Sequence, residues 1–207
     1  MAIISFDASA GPAIINPGTS ISVGHTCTGA NGLLLAWVTG DGTDDVDPPT
    51  YGGGTMTLGT KTNGGGEGRY IYLFYLVSPA TGSNTCTVTR ATSSLLQLDT
   101  DSYTGVLGVS PLDVGTINSG SGTLLSGSIL TTTNNCWVMS KCRFQQGNTG
   151  TMVGGTYRIS DTGDSNGLIT PAQAHSMTWT GNNGNIVYIM ASFKPLPGGG
   201  YLGKYYS

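Results

Sequence analysis

The chain has 207 residues, 38% of them hydrophobic, which is enough for an ordinary core and admits one large all-β domain or two small ones. Charged residues make up only 9%, against about 25% in a typical soluble domain, so Thr, Ser, Asn and Gly must cover most of the surface. With a net charge of −3 and eight scattered Lys and Arg, the chain is poorly suited to neutralising phosphates, and no apolar run approaches the ~18 residues of a membrane-spanning helix.

The start of the chain, Met1–Gly18, lacks a basic region and is broken by Asp7, Gly11 and Pro12. It does not resemble a secretory signal, so the expected route is assembly in a host cytoplasm and release by lysis, with an extracellular surface as the alternative. Residues 1–17 read as an arm or first strand, beginning with Ala2–Phe6. Ile21–Cys27 alternates apolar and polar positions, Leu33–Val38 is apolar, and Asn31-Gly32 between them is a hairpin signal. Gly40–Pro49 is an acidic loop, and Thr50–Leu58 is a strand interrupted by Gly52–Gly54.

Arg69–Val77, RYIYLFYLV, is the strongest strand signal. Both of its alternate sets are apolar, which predicts a central strand covered on both faces. Thr85–Arg90 and Leu95–Val106 read as two further strands. Pro111–Gly122 is poor in large apolar residues and reads as a connection. Leu124–Leu130, Asn135–Phe144 and Ile186–Phe193 follow as strands, with a GNNGN turn before the last. No stretch of helical length holds an apolar period near 3.6, and no internal repeat is evident. Ten or more short strands predict an all-β, antiparallel, two-sheet β-sandwich with jelly-roll-like connections. Its expected extent is residues 18–194, followed by a Gly/Pro linker and Tyr-rich tail over 195–207.

Several short motifs resemble one all-β domain family: Thr50–Gly53 with Met56–Leu58, Tyr75–Val77 with Pro79 and Gly82, Thr85–Val88, and above all Ser102–Val106. This concanavalin/LamG-like family occurs in bacteriophage virion proteins and some bacterial surface proteins. The resemblance spans roughly Ser20 to Lys194. It implies a sandwich fold and a virion or surface role, and no catalytic residue travels with it. Cys27 and Cys86 stand where Val or Ile is expected.

Candidate chemistry is sparse. A glycosidase needs two carboxylates across a cleft, and the single Glu, Glu67, sits in a Gly-rich loop. His25 shares a strand face with Val23 and Cys27, which favours a hydrogen-bonded structural role, although members of a Ser-His-Asp triad can converge from anywhere in a sequence. The four Cys lack zinc spacing, Cys136 and Cys142 are too far apart on one strand to bond, and free thiols are the default for a cytoplasmically assembled chain. The loop carboxylates Asp41, Asp45 and Asp47, with Asp44, are a candidate calcium site, and Asp161, Asp164 and Asn166 a weaker one; the spacing does not match an EF-hand, and a solvated acidic loop is the plainer reading. Beyond calcium no cofactor is expected. Trp179 beside the GNNG turn is a candidate platform for a sugar ring, with packing at the sandwich rim as the plainer role.

The expected function is that of a non-enzymatic virion structural protein, a capsid decoration or a fibre or tail component. Its partners would be copies of itself and other virion proteins, with no nucleic acid and no membrane. Tyr201, Leu202, Tyr205 and Tyr206 in the tail are the candidate interface anchors. The alternative is a carbohydrate-binding module of a host-recognition or surface protein.

Overall fold

The computed structural model describes residues 3–62, 68–144 and 151–197. All regular structure among them is β, and the expected antiparallel two-sheet sandwich forms. The first sheet has seven strands: β1 (Ser5–Cys27), β2 (Leu33–Asp41), β3 (Thr50–Tyr51), β4 (Gly54–Thr55), β5 (Thr57–Thr62), β6 (Arg69–Val77) and β7 (Gly82–Thr104). The second has six: β8 (Leu112–Leu130), β9 (Trp137–Phe144), β10 (Thr151–Val153), β11 (Thr156–Tyr157), β12 (Thr162–Asp164) and β13 (Ala174–Phe193).

The two halves of the chain share one strand order. In the first, β7 pairs with β1 on one side and with β2 and β3 on the other, and β6 follows β2. In the second, β13 pairs with β8 on one side and with β9 and β10 on the other, and β12 follows β9. The sequence shows no repeat, yet the last long strand of each half is the spine of its sheet.

Each long ribbon also folds back over the outer face of its own sheet. In the first half the bend falls near Ile15–Ser20, where the β1–β7 register shifts. Ile21, Cys86 and Val88 thereby cover Leu34, Ala36, Val38, Tyr72 and Phe74. In the second half the ladder skips between Thr180 and Gly184. Beyond that bend Asn118 donates a hydrogen bond to the carbonyl of Ser126, eight residues further along the same strand. Ile129, Met177 and Trp179 thus cover Val138, Cys142 and Tyr188.

Between the two sheets lies a third, shared core. Leu33, Leu35, Trp37, Ile71 and Leu73 meet Trp137, Met139, Val187, Ile189 and Phe193 there. Alternation explains why β2 over Leu33–Val38 and β6 over Tyr70–Val77 are apolar on both faces. Their odd-numbered residues face the shared core and their even-numbered ones the outer core. The central strand predicted over Arg69–Val77 forms with those bounds, flanked by β2 and β5.

Three sequence expectations differ from the structure. Ile21–Cys27 and Leu33–Val38 do not form a hairpin; β1 pairs with β7, while β2 pairs with β6 and β7. Asn31 does adopt a left-handed backbone (φ 53°), but its turn carries the chain from an outer layer to an inner one. Thr85–Arg90 and Leu95–Val106 are parts of one bent strand, β7. Residues assigned to a connection over Pro111–Gly122 form the first half of β8.

The folded-back ribbon of the second half demands a bare backbone at Gly127. A Cβ there would lie 0.9 Å from the Tyr188 hydroxyl oxygen. Gly127→Ala should therefore lower the unfolding midpoint sharply, since overpacking of a filled core costs about 1–3 kcal/mol or more. Adding Tyr188→Val should recover part of the loss; urea denaturation of the single and double variants checks both.

Candidate functional site

The polar side chains that combine burial with chemical capability collect where β7 and β9 face each other. Asp99 and Lys141 sit at the centre, with side chains 0% and 1% exposed and a 2.8 Å ion pair between them. Lys141 also donates to the carbonyl of Ser160. Gln97 Nε2 donates to Asp99 Oδ2 at 2.9 Å and to Ser160 Oγ at 2.8 Å. The second carboxylate oxygen, Asp99 Oδ1, is buried and has no partner among the described residues.

Two residues along β7, Asp101 is wholly buried and accepts from Ser9 Oγ and from Trp37 Nε1, the latter at 2.9 Å. Burial pushes its carboxyl up to about 6, and the Asp99 charge adds to this, while hydrogen bonds from Ser9, Trp37 and Thr162 oppose it. Next to it, Tyr103 donates to Asp164 Oδ2 at 3.0 Å. Arg158 grips the same carboxylate with Nε at 2.7 Å and Nη2 at 2.9 Å, and lies 4.0 Å over the Phe6 ring. Burial works against the Arg158 charge, but the Asp164 hydrogen bonds and charge outweigh it and raise its pKa.

A small cavity of about 180 Å³ opens beside this cluster, lined in part by Ile14, Gln97, Lys141, Arg143, Phe144 and Asp161. It is smaller than the roughly 300–1,000 Å³ of drug-sized ligand sites. Arg143 Nη2 lies 3.4 Å from Asp41. Burial lowers the Arg143 pKa, Asp41 opposes that shift, and Arg69 adds to it.

The candidate calcium ligands are engaged by the protein's own cations and hydroxyls. Asp41 faces Arg69 and Arg143, Asp45 pairs with Arg90 at 2.7 Å, and Asp47 accepts from Thr89 at 2.8 Å. Asp44 holds Lys61 and Tyr72. The acidic loop is therefore neither a converged ligand set nor a freely solvated run: the four carboxylates are taken up by partners on β5, β6, β7 and β9. In the second candidate set, Asp164 and Asn166 converge on Arg158, so a guanidinium occupies the place proposed for a cation. No group of three or more metal-ligating side chains occurs among the described residues.

His25 is buried as expected. Ser102 Oγ donates to Asp7 Oδ2 at 2.7 Å, so the 2.9 Å contact from His25 Nε2 to Ser102 must be a donation from the ring. Nδ1 is then the acceptor for Thr100 Oγ1 at 2.9 Å. Burial lowers the His25 pKa, with the Asp7 charge opposing it, which favours the neutral ring. The serine thus stands between carboxylate and imidazole. A nucleophilic triad needs the imidazole in the middle to take the serine proton; here that proton goes to Asp7, and Ser102 is not activated.

Trp179 is corrected in place. Its ring is fully buried and its Nε1 donates to Ser140 at 2.7 Å, so it offers no platform for a sugar. The adjacent turn residues form the bend of β13, which carries Trp179 over the outer face of the second sheet into the core there. All four Cys are free and buried. Burial pushes the Cys86 thiol up to about 12, with the Cys27 charge adding to it, the opposite of a reactive thiol. Tyr201, Leu202, Tyr205, Tyr206 and Glu67 lie outside the described residues.

What the sequence did not reveal is the cross-sheet polar layer of Gln97, Asp99, Asp101, Lys141 and Asp164. Alternation concealed it: Gln97, Asp99 and Asp101 share the strand face opposite Leu96 and Leu98, the face that reads as solvent-exposed. No family model, no curated protein and no solved structure matches this chain.

Lys141→Met should cost about 3–5 kcal/mol by removing the counter-ion of the buried Asp99, and Asp99→Leu in the same chain should restore most of it; equilibrium urea unfolding checks both. Asp101 carries a second expectation. Burial lifts its folded carboxyl to about 6, above the ordinary aspartate value of 3.8, so the folded state binds that proton more tightly. Its contribution to stability therefore falls as pH rises from about 4 through about 6, by on the order of 3 kcal/mol. Asp101→Asn should remove that dependence, read as the difference between wild-type and variant unfolding free energies across pH 4–8.

Proposed function

We propose that this chain is a non-enzymatic structural protein of a bacteriophage particle, a capsid decoration or a fibre or tail component, that works by subunit contact. The observation that carries this reading is the direction in which the charge is spent. Six of the eight basic residues, Lys61, Arg69, Arg90, Lys141, Arg143 and Arg158, form ion pairs with aspartates of the same chain. Apart from the exposed Lys61–Asp44 pair and Asp47, the exterior left behind is rich in Ser, Thr and Gly, with exposed apolar side chains at Ile14, Leu58, Ile117, Leu124, Leu130 and Val153. Most of such a surface can be buried against another protein with few ions to strip of water, a costly part of forming an interface.

The resemblance of Thr50–Gly53 and Ser102–Val106 to domains of phage particles supports the same reading. The competing reading, a carbohydrate-binding module, loses its proposed aromatic platform with the burial of Trp179.

The test is whether the protein travels with particles. Phage purified from the source should contain this chain in fixed stoichiometry to the major capsid or tail protein through a density gradient and a high-salt wash. Its absence from intact particles, or its loss at the first wash, contradicts the proposal.

A further inference from the structure

We propose that the outer half of β8 is a dimerisation edge, occupied by the same segment of a second copy of this chain, antiparallel about a twofold axis through Gly127. Among the described residues β8 pairs with β13 alone, which leaves the other side of its backbone as an open row of donors and acceptors there. Edges of this kind invite another strand, and folded proteins blunt them with charge, proline or bulges.

β1 holds the equivalent position in the first half and is blunted. Pro12 and Pro17 lie within it, and its ladder carries four register irregularities. Its outer half exposes only small residues: Ser20, Ser22, Gly24 and Thr26. The outer half of β8, Leu124–Leu130, has no charge and no proline, and it exposes Leu124 (55%) and Leu130 (64%).

The segment is also self-complementary. Leu124-Leu125-Ser126-Gly127-Ser128-Ile129-Leu130 reads the same in both directions, save for Leu125 against Ile129. With the twofold on Gly127, Leu124 faces Leu130 of the second copy, and Ser126 faces its Ser128. The two-residue period keeps Leu124, Ser126, Ser128 and Leu130 on the outer face, so the exposed leucines cover each other. Leu125 and Ile129 point inward to the core formed with Met177 and Trp179, and pairing would run that core across the junction. A slip of one residue would set inward positions against outward ones, so this register is favoured over its neighbours. Two exposed side-chain bonds touch the segment: Asn118 Nδ2 donates to the Ser126 carbonyl at 3.2 Å, and the Ser126 and Thr178 hydroxyls, neighbours in the β8–β13 ladder, lie 2.8 Å apart.

This inference deepens the contact reading by naming a partner. It is tested on the purified full-length chain alone, so its failure would leave particle association, measured separately, untouched. Sedimentation equilibrium should show a reversible dimer. Leu124→Lys with Leu130→Lys sets like charges opposite each other and should weaken association at least tenfold, with the unfolding midpoint of the monomer unchanged because both positions face solvent. Leu124→Lys with Leu130→Glu sets Lys opposite Glu in this register alone and should restore the dimer. A wild-type chain that stays monomeric to its solubility limit, a double-lysine variant that associates like wild type, or a Lys/Glu variant no better than the double lysine would each overturn the proposal.

Discussion

An ammonium group with almost no exposure to water sits between the two sheets, and the arrangement of the halves depends on its being matched. Lys141 comes from the second half of the chain, and Asp99, which holds it, from the first. Moving either ion alone out of water costs several kcal/mol, and only a close counter-ion with further hydrogen bonds offsets that. Other cross-sheet contacts follow the same logic. Tyr103 reaches Asp164, Gln97 reaches Ser160, and Arg143 approaches Asp41. Apolar packing between Leu35 or Trp37 and Ile189 or Phe193 tolerates sliding; these directional contacts do not, so they set one sheet in a defined position on the other.

Around that layer the chain uses one plan twice. A long ribbon, β1 with β7 or β8 with β13, supplies both an inner sheet and the cover for its outer face. Few separate elements are then needed to build three cores. The cost is steric: where a ribbon doubles over, side chains must vanish, as at Gly127 beneath Tyr188 and at Gly18 against Ile15. Much of the chain's glycine serves turns, but these two glycines serve close approach.

The parts of this plan that were legible in the sequence are those where burial is two-sided. β6 is apolar on both alternate sets because it lies between two cores, and its bounds could be read directly. The first half of β8 was illegible for the opposite reason. Leu112–Gly122 lies on an edge, offers little apolar surface and is built of Gly, Ser and Thr, so it reads as a connection. Layer assignment was illegible too: Asn31-Gly32 signals a tight turn but not whether the next strand lies beside the last or beneath it. For the polar residues, type was a poor guide to role. The aspartates that looked like calcium ligands each answer a cation or hydroxyl from a strand distant in sequence, and spacing along the loop carries no record of that. Trp179 was misplaced because its turn is a bend within a strand, and the bend turns the ring inward.

The buried Lys141–Asp99 pair joins the two halves, and that lock is the core of the account. It requires the two halves to behave as one cooperative body. Native-state hydrogen exchange tests this most directly, by comparing amides of β2 and β6 with those of β9 and the C-terminal half of β13. The account predicts that both groups exchange only through one shared opening, with equal free energies that fall together in Lys141→Met. Protection that persists in one half while the other exchanges freely would contradict it.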